Sequence, residues 1–374
     1  MKIVHISTHF FPVNGGQQIY IQNMMHYLDN FEHIVIQIGN KNTVYPQNVY
    51  PIYIPNILSY KALSFYAFNH FLDKKINELI KLKVINPKDD IFLSHYGFHY
   101  SVVKKYPNVI VLSHGVEWDG PGNIFRKLYH IHRKLINKTI LYDDGITLVA
   151  NDRNFFESLG FKHIKESNYF TEISKNKWLL PNCVDNNKFK KINLNKKLLK
   201  DNSIIVPRNI VPQRGMDIVI ESFASLVKIK KYEDYVLYII GAKYDLGYYE
   251  ELVKLVKRMG LENKVIFFGS VPHGMMPLIY NSAKLTIIFS LFREGTSLAA
   301  LESMACGTPV ITSDIGGLKE LPTVKSTKDK LPEVIMNTLS NYNYISKMQM
   351  DFTRKNYNME NWTKTWSAIL GKYV

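Results

Sequence analysis

At 374 residues and 46% hydrophobic, the chain is long enough for two ordinary domains, each with its own core. Two cysteines, Cys183 and Cys306, are too few for a disulfide framework and point to a reducing compartment. The formal charge of +15 asks for an anionic partner, yet no zinc-finger spacing or RNP-like aromatic motif accompanies it, which sets nucleic acid aside.

No run approaches the ~18 apolar residues of a membrane span. The opening MKIVHIST enters an alternating strand without the apolar stretch of a signal peptide, so a cytoplasmic location is expected. Lys2 to Ser7 is that strand. A loop follows, ending in Gly15-Gly16, then a helix from about Gln17 to Leu28. Strand, glycine pair, helix lets a backbone approach a phosphate or sugar closely, because no Cβ intrudes. Taken alone, the pair reads as a simple turn. Apolar runs at 34–38, 91–93, 109–112 and 146–149 are interspersed with helical stretches at 61–82 and 123–142, the pattern of a parallel, Rossmann-like sheet. The full dinucleotide fingerprint is missing, which disfavours an NAD enzyme.

Ser113-His114-Gly115-Val116-Glu117 follows directly on a strand, so His114 falls at the carboxyl edge of the sheet, with Glu117 and Asp119 beyond it. His130 and His132 lack a third ligand nearby and belong to a helix surface rather than a metal site. Two helices are basic and amphipathic. Tyr60 to Lys75 carries Leu63, Phe65, Tyr66, Phe68, Phe71 and Leu72 with Lys61, Lys74 and Lys75. Asn123 to Lys138 carries Phe125, Leu128, Ile131 and Leu135 with Arg126, Lys127, Arg133, Lys134 and Lys138. Such helices can lie on anionic lipid. Each taken singly is expected to pack its apolar face on the sheet and solvate its charges.

After the turn at Pro181-Asn182-Cys183-Val184-Asp185, the Lys-rich segment 190–202 reads as a linker. Strands at 204–206, 236–240, 265–268, 285–289 and 310–312 build a second sheet. Arg208 and Arg214 lie six apart in the loop after its first strand, where they are either solvated or converge on a diphosphate. The stretch from Arg293 to Val310 is the densest in signals. Glu294 and Gly295 sit on a strand-to-helix turn, Thr296 or Ser297 can cap the helix, and Gly307 can end it. Glu302 falls about two turns along. An isolated pair of this kind is a capping glutamate and a solvated helix glutamate. The free amides of Gly295, Thr296 and Ser297 instead favour an anionic group such as phosphate. Trp362, Trp366, Ile369 and Leu370 recur at helical spacing in a last helix, 351–373, and read as packing.

These motifs resemble the family 4 glycosyltransferases of the GT-B fold. The family has a Glu, seven residues and a second Glu, as in Glu294 and Glu302. It follows them with a small-residue run like Ala305 to Val310 and a Gly-Gly-x-x-Glu turn like Gly316 to Glu320. Three departures stand out: Cys183 and Pro207 each replace a glycine, and Arg214 replaces the usual lysine. The resemblance covers nearly the whole chain, most sharply Trp178 to Leu321. It implies two Rossmann-like α/β domains with a cleft between them: an acceptor-side domain at 1–186, a nucleotide-sugar domain at 187–350, and a C-terminal helix at 351–374 returning to the first domain.

The resemblance also implies sugar transfer from a nucleotide-sugar donor, UDP- or GDP-linked, to a hydroxyl acceptor with retention of anomeric configuration. Neither metal nor other cofactor is implied. Glu294 would contact the donor sugar and Glu302 the ribose. Arg208, Arg214 and the amides of Gly295, Thr296 and Ser297 would hold the diphosphate, with Leu298 lining the sugar pocket. Gly15 and Gly16 would face the cleft, and His114 would lie near the reacting sugar. The expected acceptor is a lipid-linked saccharide in surface polysaccharide or glycolipid synthesis, with peripheral contact to the inner face of an anionic membrane. Two rivals remain: a nucleotide-sugar epimerase, which shares the architecture, and a non-catalytic basic subunit bound to membrane or nucleic acid.

Overall fold

The protein is described by a computed structural model over residues 1–13, 15–55, 61–120, 124–161, 164 and 169–374. Asn14, Tyr60 and Asn123 lie outside the described residues, as do the side chains of Lys61, Leu63, Phe65 and Phe125.

Runs of Ile, Val and Leu fix the strands, because branched side chains suit a pleated surface buried on both faces. The first sheet holds β1 (Lys2–Ile6), β2 (Glu32–Ile38), β3 (Val49–Ile52), β4 (Ile91–Ser94), β5 (Val109–Ser113), β6 (Thr147–Ala150), β7 (Thr171–Ser174) and β8 (Lys177–Leu179). Its order among the described residues is β3-β2-β1-β4-β5-β6-β8-β7, parallel except for the β7–β8 pair. Pro51 is tolerated in β3 because that strand is an edge. Around the sheet run α1 (Gly16–Tyr27), α2 (Lys61–Lys81), α3 (Tyr100–Val103), α4 (Ile124–Leu141) and α5 (Arg153–Ser158). Ile6, Ile36, Phe92, Val111 and Leu148 are fully buried in the core, each contributing about 1.5–3 kcal/mol by leaving water.

The second sheet holds β9 (Ser203–Val206), β10 (Val236–Ile240), β11 (Val265–Gly269), β12 (Leu285–Ile288), β13 (Val310–Ser313) and β14 (Val324–Ser326), all parallel, in the order β11-β10-β9-β12-β13-β14. Its helices are α6 (Met216–Leu226), α7 (Leu246–Arg258), α8 (Met276–Ser282), α9 (Leu298–Ala305), α10 (Leu331–Ser340) and α11 (Tyr342–Asn356); the last helix is α12 (Met359–Leu370). In both sheets the first six strands follow the doubly wound order 3-2-1-4-5-6. The winding reverses between β1 and β4 in one and between β9 and β12 in the other, and a crevice opens beyond the strand ends at such a point.

Two compact units result: Met1–Pro181 with Glu360–Val374, and Asn182–Met359. The single helix expected over 351–373 is two. Residues 351–356 complete α11, which belongs to the second unit, where Gln349 bonds both the amide and the carbonyl of Val310 and Ser346 Oγ donates to the Gly307 carbonyl at 2.6 Å. The break falls where the Tyr357 carbonyl accepts from the Val184 amide, 2.9 Å away. Beyond it, α12 buries Trp362, Trp366, Ile369 and Leu370 in the first unit. Trp366 Nε1 donates to Tyr20 Oη at 2.9 Å.

The basic helices differ. Packing holds for α2, which buries Phe68 and Leu72. It fails for α4: Ile124, Leu128, Ile131 and Leu135 are 56–64% exposed. The inward face of α4 instead carries Arg133, Asn137, Ile140 and Leu141. Burial of Arg133 is offset by its ion pair to Glu117 at 2.8 Å.

Candidate active site

In the second unit, β9 ends at Val206 and the chain turns immediately into Pro207-Arg208; β12 ends at Ile288 and leads to Ser290 and Glu294. Both loops leave the carboxyl edge at the switch point. Arg208 lies against Gly241, where a Cβ would stand 2.2 Å from the Arg208 carbonyl, so only glycine permits this approach. Opposite, Gly316 has φ +52, and a Cβ there would meet the Glu294 backbone at 2.6 Å. The Gly317 amide donates to the Glu294 carbonyl at 2.7 Å. The Gly-Gly turn thus fixes the backbone of Glu294.

Arg208 and Arg214 converge on one carboxylate, that of Glu294. Arg208 donates from both terminal nitrogens, Nη1 to Oε1 at 3.2 Å and Nη2 to Oε2 at 2.6 Å. Arg214 Nη1 bonds the same Oε2 and also reaches Ser290 Oγ at 3.3 Å; Ser290 Oγ donates to Oε1 at 2.5 Å. Charge-assisted, forked bonds of this kind are the strong ones. Arg208 is nearly buried and Arg214 about a third exposed. The cluster therefore presents positive charge to an incoming anion through Arg214 first.

Ser297, not Thr296, caps α9, accepting from the Ala300 amide at 3.4 Å. Thr296 is drawn elsewhere: its hydroxyl accepts from the Asn182 amide at 3.0 Å, and its carbonyl accepts from the Asn182 side chain. Gly295 is buried in the turn and Leu298 is half-buried at the helix start. Glu302 is not a solvated helix glutamate. It is buried, with His273 Nε2 2.6 Å from one oxygen and Tyr280 Oη donating to the other at 3.0 Å. Burial, and next the Glu302 charge, hold the Tyr280 hydroxyl well above its usual value, so it stays a donor. His273 Nδ1 in turn meets Lys188 Nζ at 3.3 Å, which orients the ring toward Glu302. His273, Tyr280 and Ser290 lie in otherwise ordinary stretches, and Asn182 lies in a turn that reads only as the exit from the first domain, so no local signal marks any of them as a site residue.

In the first unit, Gly16 opens α1 and Gly15 precedes it with extended backbone; a Cβ at Gly15 would meet only the end of the Gln18 side chain. Conformation alone therefore does not require the pair. Gln17, next in the chain, joins this loop to the other side of the switch point, with Nε2 donating to Ser7 Oγ at 3.2 Å and Oε1 accepting from Tyr96 Oη at 2.6 Å. His114 is half-buried beyond β5, its Nε2 3.0 Å from His95 Nδ1 and its ring edge-on to Tyr20 at 5.2 Å. Burial pushes its pKa down to about 3, which keeps the imidazole neutral at pH 7. Glu117 is engaged by Arg133; burial raises its pKa and the guanidinium opposes that. Asp119 is half-buried two residues on. Among the described residues no helix is long and apolar enough to cross a membrane.

Residues 186–329 match the family model described as Glycosyl transferases group 1. The matched residues make up less than half of the chain and include Arg208, Arg214, Glu294 and Glu302. Over 109 residues the chain is 34% identical to an uncharacterized glycosyltransferase of Methanocaldococcus jannaschii, covering 29% of this chain and 26% of that protein. Over 112 residues it is 32% identical to mannosylfructose-phosphate synthase of Agrobacterium fabrum, covering 29% and 24%. The chain thus spans about a quarter of the length of these relatives. Solved structures share the whole GT-B fold. Sucrose-phosphate synthase from Thermosynechococcus elongatus aligns with TM-score 0.78 at 17% identity over 99% of this chain and 98% of that one. HepE of Anabaena, solved with UDP and glucose, aligns with TM-score 0.75 at 15% identity over 100% of both chains.

Proposed function

We propose that the chain is a retaining glycosyltransferase of family 4 type, moving a hexosyl group from a nucleotide-sugar donor to a hydroxyl acceptor. One observation carries this reading: two arginines converge on a glutamate at the switch point of a sheet whose residues match a glycosyltransferase family model. A UDP-sugar is the favoured donor, supported by solved structures of the same fold bound to UDP, glucose or UDP-glucose.

In this reading the bond from the anomeric carbon to the departing phosphate oxygen breaks, and the acceptor oxygen bonds the same face. The acceptor proton passes to that phosphate oxygen. Positive charge grows on the sugar ring and negative charge on the diphosphate. Arg208 and Arg214 would transfer bonds from Glu294 to the diphosphate, joined by the amides of Gly295 and Ser297, placing fixed positive charge where negative charge develops. Such a scheme calls on no metal ion. Glu294, released from one or both guanidiniums, would accept from sugar hydroxyls. Glu302 would receive the ribose with the lone pairs that His273 and Tyr280 leave unused. His114 would meet a hydroxyl as a neutral group.

The acceptor is proposed to be a lipid-linked saccharide for a surface polysaccharide or glycolipid, reached by peripheral attachment to the cytoplasmic leaflet. The exposed apolar stripe of α4, flanked at helical spacing by Lys127, Lys134 and Lys138, supports this attachment. Co-sedimentation with anionic vesicles at low salt, lost with neutral vesicles, is the expected result for it. For the donor, thermal stabilisation against UDP-, GDP-, ADP- and TDP-sugars is the test. A selective gain of about 2.7 kcal/mol is expected at a hundredfold excess over Kd. Failure of every nucleotide sugar to stabilise the protein contradicts the proposal.

A further inference from the structure

Leu93-Ser94-His95 and Leu112-Ser113-His114 end the neighbouring strands β4 and β5 with the same three residues. In both, the serine hydroxyl donates to the carbonyl two residues on, Ser94 to Tyr96 at 2.7 Å and Ser113 to Gly115 at 2.8 Å. This repeat brings two imidazoles together, His114 Nε2 to His95 Nδ1 at 3.0 Å, with ring planes 7° apart. The contact continues inward. His95 Nε2 is 3.0 Å from His5 Nδ1 on β1, and His5 Nε2 is 2.9 Å from His33 Nδ1 on β2. His33 Nε2 ends the series 3.0 Å from the Leu28 carbonyl. Four imidazoles thus cross four consecutive strands, from near the amino end of β2 to the carboxyl edge of β5.

The chain has one direction. A neutral imidazole offers one N–H and one lone pair. The Leu28 carbonyl can only accept, so His33 carries its proton on Nε2 and its Nδ1 accepts. His5 must then donate from Nε2, His95 from Nε2, and His114 from Nε2. The reverse order would set a bare His33 nitrogen against a carbonyl oxygen. Burial lowers the pKa of all four, and the charge of a neighbouring imidazole adds to this at His5 and His95. Neutral rings are therefore the rule at pH 7. Because the Leu28 carbonyl cannot carry a proton away, the chain fixes polarity and conducts nothing.

We infer that this imidazole chain locks His114 as the Nε2–H tautomer with Nδ1 bare, so that His114 offers a hydrogen-bond acceptor to a hydroxyl of the sugar or of its acceptor. His33, His5 and His95 are positioning residues. Among the described residues, the hydrogen bond of His114 runs through Nε2 to His95. Tyr20, edge-on at 83°, braces the ring. The hydroxyl partner rests on the glycosyl-transfer reading; the tautomer does not.

The test is 15N NMR of the full chain labelled at histidine, with steady-state transfer kinetics, on wild type, His95→Phe and His95→Asn. The expected wild-type signature is a pyridine-type Nδ1 and a pyrrole-type Nε2 at His114. Phe removes the acceptor and should let His114 populate the Nδ1–H form, with kcat down roughly tenfold and the KM for nucleotide sugar unchanged. Asn restores an oxygen acceptor near the Nδ1 position and should recover both the signature and most of the rate. A pyrrole-type Nδ1 in the wild type overturns the inference, even if neither variant folds. Equal behaviour of the two variants overturns it as well. A wild-type protein with bare Nδ1 that transfers no sugar supports the tautomer and overturns the transfer reading instead.

Discussion

The two sheets share one winding and place opposite chemistry at the point where it reverses. In the second unit, loops from β9 and β12 bring two guanidiniums and a carboxylate together, all charged. In the first, loops from β1, β4 and β5 bring neutral groups: Gln17, Tyr96, His95 and His114. Of the twelve histidines, His273 alone lies within Asn182–Met359. The scaffold therefore does not dictate the chemistry; the residues just past the strand ends do. Guanidiniums suit a group whose charge must be held, whereas neutral imidazoles suit hydroxyls, whose protons need an acceptor without a competing cation.

Breaking either half should leave the other recognisable. The largest expected effect is on packing in the first unit. Trp366→Ala removes a fully buried indole and its bond to Tyr20, and about 3–5 kcal/mol of stability should go with it. Hydrogen exchange should show faster opening of the first sheet with the second unchanged. Glu294→Ala leaves both guanidiniums without their shared carboxylate; a loss of about 3 kcal/mol in denaturant unfolding is expected, with transfer abolished.

Acid should separate the units further. Burial lowers the pKa of His99 and His114 to about 3 in the folded chain, from the ordinary imidazole value of 6.5. Between those values the unfolded chain binds protons that the folded chain does not. Stability is therefore complete above about pH 6.5 and falls as pH drops toward 3, by up to about 1.4 kcal/mol per pH unit for each such imidazole. Urea unfolding at stepped pH, followed by exchange in the first sheet, reads this slope; a flat profile would remove the neutral-histidine account. Smallest is Ser297→Ala, which loses the α9 cap and should cost about 1 kcal/mol in the second unit alone, visible as a shift in urea midpoint.

Much of this was legible in the sequence where signals are local. The apolar runs mark β1, β2, β4, β5 and β6 of the first sheet and β9 to β13 of the second, and the spacing from Glu294 to Glu302 places one carboxylate before α9 and the other on it. What pairs with what was not legible, because the partners are remote: Arg208 lies 86 residues from Glu294, and His5 lies 90 from His95. The inversion of α4 escaped for the same reason, since Glu117, off the helix and 16 residues back, pairs with Arg133 and makes it an inward residue. A local signal for the imidazole chain did exist, in the repeated Leu-Ser-His at two strand ends and in a histidine inside the otherwise apolar β1.

Arg208 and Arg214 are proposed to exchange Glu294 for a donor diphosphate. Calorimetric titration of UDP into wild type and Arg208→Ala, without added metal, tests it most directly. Binding to the wild type is expected to weaken by about tenfold or more in the variant, the equivalent of about 1.4 kcal/mol. Equal affinity in the two proteins would contradict it.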